Sequence, residues 1–343
     1  MTTPIWNDKD LLIVRLWAEH ARLLRALVGI DAPTLAAARP AGEWSLTELL
    51  THLADYDQLF ARAVSDALAG RLATTGIDYT PAHNAGVPGR AAEMTLDKTV
   101  AALDKSRTLL MTALMGARGE AWTQPHSYQA RLGSSTSAAR GTLRGWARER
   151  ALHDAAHTRD LRRWRRTLGD AFNAGPKSIL LAALRAARQE FTFTSWLVAQ
   201  AERESRPVCG VWTLSDLYGH LADCDVYYLV KLGLMLGDRV QDVPWEDDFD
   251  AQNARWAEAR RGQSFAQTSR DAVIQRERLI ERLERAPDAA LSYRYTEADS
   301  PYPTAYHCAW SALEHYLDHA AGLRRELGVP LPKALLSFSG PYT

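Results

Sequence analysis

Apolar residues recur at steps of three and four from about Asp8 to Leu27, which is the spacing of one face of an amphipathic helix. The same period predicts three more helices in the first half of the chain, over about 45–69, 96–114 and 138–168. In the second half, matching helices are predicted from Lys177, from Thr213, over 265–283 and over 305–327. No convincing strand ladder is apparent, although LSYRY at Leu291–Tyr295 alternates briefly, so the pattern predicts an all-α chain.

One stretch occurs twice. GEWSLTELLTHLADYD, Gly42–Asp57, returns without a gap as GVWTLSDLYGHLADCD, Gly210–Asp225. The chain is therefore predicted to be an internal duplication of two tandem four-helix bundles, 1–170 and 176–330, joined by a short linker. A fused duplication commonly recreates the symmetric interface of a homodimer, so we expect a pseudo-twofold pair of bundles within a monomer.

The boundaries of the second helix of each repeat are marked by capping residues. Ser45 with Glu48, and Thr213 with Asp216, have the spacing of a capping box, and Gly70 is expected to end the first of these helices. The loops that follow differ between the copies. Residues 74–90 are rich in Gly and Pro, whereas DVPWEDDFD, 242–250, is acidic. Loops that vary on a repeated scaffold are where ligand contacts usually diverge.

Composition excludes several classes of protein. Of 343 residues, 46% are hydrophobic and 24% charged, as in soluble globular proteins, and 41 basic residues balance 41 acidic ones. Because neither sign of charge is in excess, the composition does not predict a nucleic-acid or anionic-membrane partner. The three cysteines lack the even number and spacing of a disulfide framework. Neither a secretory signal nor a membrane-spanning run is found, so a cytoplasmic location is predicted.

Six of the ten histidines occupy three positions that both copies retain. His153/His157 and His315/His319 are His-x-x-x-His pairs, and such pairs project from one face of a helix. One further histidine from the second helix of each bundle would complete three imidazole ligands, the donor set of a catalytic zinc site. An isolated His-x-x-x-His pair more often lies on the surface or packs in the core than binds a metal. The repetition favours two metal sites with the ligands His52, His153, His157, His220, His315 and His319, zinc or nickel being the preferred metals.

Carboxylates flank these histidines. Asp55 and Asp223 follow the helix-two histidines by three residues and share their face, so each is predicted either to orient an imidazole or to act as a general base. Glu48 and Asp216 are better explained as capping residues. Asp57 and Asp225 lie further round the helix and are interpreted as surface or interface residues.

Other candidates have structural interpretations. Trp44 and Trp212 are expected to pack at the start of the second helix, with substrate stacking as the alternative. His20 is interpreted as a hydrogen-bonded histidine at the edge of the core. The basic run Arg159–Arg166 is expected to be a solvated helix face, although such a run could also grip phosphate or carboxylate.

With these residues laid out, the chain resembles a tandem DinB/YfiT-like protein. The resemblance rests on the W-S/T-L-x-D/E-L-x-x-H-L start of helix two and on the His-x-x-x-His pairs. It occurs once in each copy, and the two copies together cover nearly all of the chain. It implies four-helix bundles that bind a divalent metal through the six histidines. Ser134–Arg148 and the stretch from Phe249 are similar to the ClbS/DfsB branch, whose resistance proteins hydrolyse a cyclopropane warhead. Other branches use a low-molecular-weight thiol.

The sequence therefore predicts an enzyme, a metal-dependent hydrolase or thiol transferase that acts on a small electrophilic molecule in detoxification or self-resistance. The alternative is a ClbS/DfsB-like metal-independent hydrolase, or a sequestration protein, that protects against a DNA-alkylating metabolite. The predicted partner is thus a small electrophile, with no specific nucleic acid and no membrane.

Overall fold

The computed structural model describes residues 8–72, 81–132, 135–169, 171–240, 248–296 and 302–329. The chain divides into two compact units, with the break between Asn173 and Ala174. Among these residues each unit contains four long helices, and the predicted all-α architecture of two tandem helical bundles is confirmed. Within the described residues, no helix is both long enough and apolar enough to cross a membrane.

In the part of the first unit that the structure describes there are seven α-helices: α1 Asp8–Arg25, α2 Ala32–Ala37, α3 Leu46–Leu68, α4 Pro81–Ala85, α5 Val87–Ala91, α6 Leu96–Gly116 and α7 Leu143–Thr167. A short 3-10 turn, Gly119–Trp122, precedes a hairpin of two strands, β1 His126–Leu132 and β2 Ser135–Gly141. Helix α3 packs along α6, and α1 packs along α7. Their apolar faces form the core, in which Leu16, Leu53 and Leu110 are fully buried.

The second unit repeats this plan. Its helices are α8 Lys177–Ser195, α9 Leu214–Met235, α10 Phe249–Ala259, α11 Phe265–Arg285, α12 Asp288–Ser292 and α13 Ala305–Glu326. A 3-10 turn, Gln200–Glu202, and two very short strands, β3 Pro207–Cys209 and β4 Trp212–Thr213, lead into α9. Here α9 packs along α11 and α8 along α13, the same pairing as in the first unit.

Both predicted capping boxes are present. The Ser45 hydroxyl accepts a hydrogen bond from the Glu48 amide at 3.2 Å, and the Ser45 amide donates to the Glu48 carboxylate at 2.6 Å. Thr213 and Asp216 make the equivalent pair at the start of α9. Gly70 follows the end of α3 with φ +67°, a left-handed conformation that glycine adopts at little steric cost. The caps fix where the two histidine-bearing helices begin.

The stretch before the last helix of the first unit differs from the prediction. A helix was expected from Ala138, but residues 138–141 belong to β2, and α7 begins only at Leu143. Ala138 and Ala139 have high helix propensity, yet their backbones pair with Gln129 and Tyr128 of β1. Local propensity is a weak preference that strand pairing overrides, and Thr142 then caps α7 by accepting from the Gly145 amide at 2.9 Å.

The variable loops contain more helix than predicted. In the first unit, the end of the Gly- and Pro-rich loop forms α4 and α5. In the second, most of the acidic stretch, 241–247, lies outside the described residues, and its end begins α10. The alternating segment LSYRY is not a strand, because Leu291 and Ser292 belong to α12 and only Arg294 forms an isolated bridge, with Thr304.

Candidate metal centre

Two helices position the histidines of the first unit. His153 and His157 lie one turn apart on α7, and His52 approaches them from α3. The Nε2 atom of His153 is 2.9 Å from that of His52 and 3.3 Å from that of His157. Three ring nitrogens therefore face a common point. We call this group the first triad.

The second unit repeats the arrangement with His220 from α9 and His315 and His319 from α13. The Nε2 atom of His315 is 2.9 Å from that of His220 and 3.0 Å from that of His319. We call this group the second triad. In each triad the candidate ligand atoms all lie within 4.8 Å of one another, so either group could hold a metal ion. The structure thus brings together all six histidines that the sequence singled out.

Burial keeps these imidazoles uncharged. Desolvation, assisted by the charge of His157, lowers the pKa of His52 to about 2, and desolvation together with Arg150 lowers that of His157 to about 4. In the second triad, desolvation and the charge of His319 lower the pKa of His220 to about 3. A metal ligand must be a neutral imidazole, so burial favours the uncharged form that this role requires.

Aromatic rings pack against the helix-two histidines. The ring of Trp44 lies 4.9 Å from His52, and that of Trp212 lies 4.8 Å from His220. In the first unit Tyr56 stacks on His153, with ring centroids 5.0 Å apart. The second unit has Cys224 at the matching position, and its sulfur is 3.7 Å from both ring nitrogens of His220.

An arginine holds each of the predicted catalytic carboxylates. Arg90 Nε donates to Asp55 Oδ2 at 2.8 Å, and Arg260 donates to both oxygens of Asp223 at 2.7 and 2.8 Å. His83 also lies near, its Nε2 3.9 Å from Asp55 Oδ2. Sequence analysis missed these arginines. The sequence does contain a pattern that could have indicated them: an arginine follows each aspartate at nearly the same distance, at the end of loops that otherwise differ.

A cavity of about 790 Å³ opens beside the second triad. It reaches His220 and Trp212 from α9 and its approach, and Asn253, Trp256 and Arg260 from the segment around α10. Counted back from the paired arginines, Trp256 corresponds to Gly86 and Asn253 to His83. The copies therefore share the triad and the paired arginine but differ in the residues around them.

Asp57 and Asp225 are not surface residues, and their interpretation as such was wrong. Asp57 is fully buried and accepts from Arg107 Nε at 2.8 Å and from Arg150 Nε at 2.5 Å. Asp154 pairs with the same two arginines, at 2.7 and 2.6 Å. Two carboxylates and two guanidinium groups thus balance within the core. Helical periodicity could not reveal them, because their partners come from α6 and α7.

The second unit has a reduced form of this network. Asp225 is also fully buried, and its Oδ2 accepts from Arg276 Nε and from the Tyr316 hydroxyl, each at 3.1 Å. Ala312 and Tyr316 stand where the first unit has Arg150 and Asp154, counted from the His-x-x-x-His pairs. One cation and one anion are therefore absent together, and the buried charge stays balanced.

The network contacts the first triad directly. Arg150 Nη1 lies 2.7 Å from Nδ1 of His153. In the second triad the matching atom, Nδ1 of His315, is buried and has no hydrogen-bond partner among the described residues.

The remaining candidates lie outside the triads: His20 is buried in α1 beside Trp17, and the basic run on α7 keeps Arg162, Arg163 and Arg166 exposed.

Fold and sites together define a tandem helical-bundle protein with a histidine triad in each bundle. The DinB superfamily model matches residues 15–161 and 183–322, which is well over half of the chain, so the chain belongs to the DinB superfamily. This superfamily includes metal-binding proteins. Neither the curated proteins nor the solved structures contain a match to this sequence.

Proposed function

We propose that the protein is a metal-dependent enzyme, a hydrolase or thiol transferase, that acts on a small electrophilic molecule. The observation that carries the proposal is the second triad, whose three imidazoles lie close enough to hold one metal ion and whose His220 lines a cavity of about 790 Å³. Cavities of this size enclose drug-sized ligands. A role in detoxification or self-resistance, by a monomer in the cytoplasm, is part of the proposal.

The residues present fit a divalent metal. Neutral imidazole suits zinc and nickel, and three protein ligands leave a coordination position for a substrate. The proposed ligands are His52, His153 and His157 in the first unit and His220, His315 and His319 in the second. When bound, such a metal polarises a substrate oxygen or activates a nucleophile.

The other residues of the second site would bind and orient the substrate. Trp212 and Trp256 supply aromatic surface to the cavity, while Arg260 is fixed by Asp223 and by Asp271. We propose Asp223, and Asp55 in the first unit, as catalytic carboxylates. Each carboxylate oxygen has a second lone pair, so a carboxylate that pairs with arginine still accepts a proton from a nucleophile that approaches it.

A second candidate is a protein that sequesters a reactive metabolite or, as in the ClbS/DfsB branch, hydrolyses it without metal. The cavity favours this alternative as well, because Trp212 and Trp256 offer stacking surface to an aromatic ligand whether or not it reacts. In that case protection would be stoichiometric, or turnover would survive removal of metal.

The test combines metal analysis with turnover. The purified chain is loaded with zinc or nickel and assayed against an activated nitrophenyl ester, and against a dinitrophenyl halide with a low-molecular-weight thiol. We expect multiple turnovers that a chelator abolishes and added metal restores. Metal-independent turnover, or saturation at one or two ligands per chain, would instead support the second candidate.

A further inference from the structure

We propose that the two triads differ in metal affinity, the second triad being the tight site and the first a weak one because Arg150 holds His153. This inference rests on the proposed function only in assuming that the histidines bind a metal. It assigns to Arg150 a role that neither the histidine spacing nor the family indicates.

A neutral imidazole carries one proton on its two nitrogens. To ligate a metal through Nε2, the ring must place that proton on Nδ1, which in metal sites usually donates to a carboxylate or a backbone carbonyl. The partner of Nδ1 therefore decides whether Nε2 has a free lone pair.

In the first triad the partner of Nδ1 is a donor. Arg150 Nη1 lies 2.7 Å from Nδ1 of His153, and a guanidinium group has no acceptor, so Nδ1 must accept. The proton of the neutral ring is then on Nε2, which faces Nε2 of His52 at 2.9 Å. While this hydrogen bond exists, His153 has no lone pair to offer at the centre of the triad.

Several buried contacts hold the side chain of Arg150 in this position. It is fully buried, its Nε donates to Asp57 at 2.5 Å, and its Nη2 donates to the Leu53 carbonyl at 3.3 Å. Asp154 pairs with Nη1 at 2.6 Å. Freeing His153 would require breaking bonds to buried charges, and such bonds are costly to lose.

The second triad lacks this restraint. Ala312 occupies the position of Arg150, and Nδ1 of His315 has no hydrogen-bond partner among the described residues. The proton of His315 is therefore free to reside on Nδ1, which leaves the lone pair of Nε2 for a metal. The nearest buried arginine, Arg276, donates instead to Asp225 and to the Ala312 carbonyl.

The test measures zinc affinity and stoichiometry of the full chain by competition with a chromogenic chelator. We expect one tight zinc per chain and a second site weaker by about 10- to 100-fold, the range for partners that orient a ligand histidine. His220→Ala should remove the tight site, whereas His52→Ala should leave it intact.

A second variant gives the first unit the residues that the second unit has at the two positions that differ beside the triad. Arg150→Ala with Asp154→Tyr, in the His220→Ala background, reproduces the Ala312/Tyr316 pair and keeps the buried charge balanced. This exchange should restore one tight zinc per chain. Arg148→Ala, an exposed arginine on the same helix, is the matched control and should restore none. Circular dichroism verifies that each variant is folded.

Two equally tight zinc ions in the wild-type chain would overturn the inference, as would loss of the tight site in His52→Ala but not in His220→Ala. If the exchange variant does not fold, the comparison of His52→Ala with His220→Ala decides alone. A wild-type chain that binds no zinc would overturn both proposals. A chain that binds zinc as expected but turns over no substrate would overturn the proposed function only.

Discussion

Asp57 shows how one buried residue can organise the core of a unit. Its carboxylate accepts from two arginines that come from different helices, and all three side chains are almost completely excluded from solvent. Uncompensated charges in a protein interior are expensive, so each member depends on the others. The network therefore fixes α3 and α7, the two helices that carry the first triad, against each other and against α6.

Removing this carboxylate should be strongly destabilising. Asp57→Ala leaves Arg107 and Arg150 with one buried anion between them, and we expect a loss of about 3–5 kcal/mol in the free energy of unfolding. Urea-induced unfolding measures it. The control is Asp66→Ala on the same helix, whose partner Arg71 is exposed, for which about 1 kcal/mol or less is expected. Equal effects of the two substitutions would contradict the role of the network.

The carboxylate beside the second triad should matter for turnover rather than for metal binding. If Asp223 acts as the base, Asp223→Asn should lower kcat by about 100-fold or more while zinc content is unchanged, since general bases contribute about 10²–10⁴-fold. Asp271→Asn is the matched control, because Asp271 contacts the same Arg260 at 2.9 Å. A similar fall in kcat for both variants would show that Asp223 only positions the arginine.

For single residues, the sequence pattern singled out the histidines that the structure brings together, but it led to a wrong interpretation of Asp57 and Asp225. His52, His153 and His157 were recognised because each recurs in the second copy and because four-residue spacing places two of them on one face. Asp57 was misread although it also recurs. Its burial depends on arginines about fifty and ninety residues away, which periodicity within one helix does not show.

At the scale of elements, short-range signals determined where the histidine-bearing helices begin. Ser45 and Thr213 both close their predicted capping boxes, and a capping hydroxyl satisfies a backbone amide within three residues. The hairpin before α7 behaved differently. Its two strands depend on pairing across a turn, so residues 138–141 followed their partner strand rather than their helix propensity.

Loss of a cap should weaken the first unit measurably. Ser45→Ala removes the acceptor of the Glu48 amide, and we expect a loss of about 1 kcal/mol in the free energy of unfolding. The control is Thr108→Ala on α6, whose exposed hydroxyl donates to the Asp104 carbonyl of its own helix, and a change within about 0.5 kcal/mol is expected. A negligible effect of Ser45→Ala in urea unfolding would contradict the capping role.

At the scale of the whole molecule, balanced charge predicts weak attraction to nucleic acid. With 41 basic and 41 acidic residues, the chain should release few counterions on meeting DNA. In a fluorescence titration with duplex DNA at physiological salt, we expect no saturable binding and no dependence on salt concentration. A steep loss of binding with added salt would reveal a phosphate-binding surface and contradict this prediction.

The sequence by itself determined the duplication, the four long helices of each unit and the six histidines, because repetition, period and capping are carried by residues close together in the chain. Only the tertiary structure showed the arginines at Asp55 and Asp223, the buried networks around Asp57 and Asp225, and the contact of Arg150 with His153. These are interactions between helices, and burial, which gives them their strength, arises only when the helices pack together.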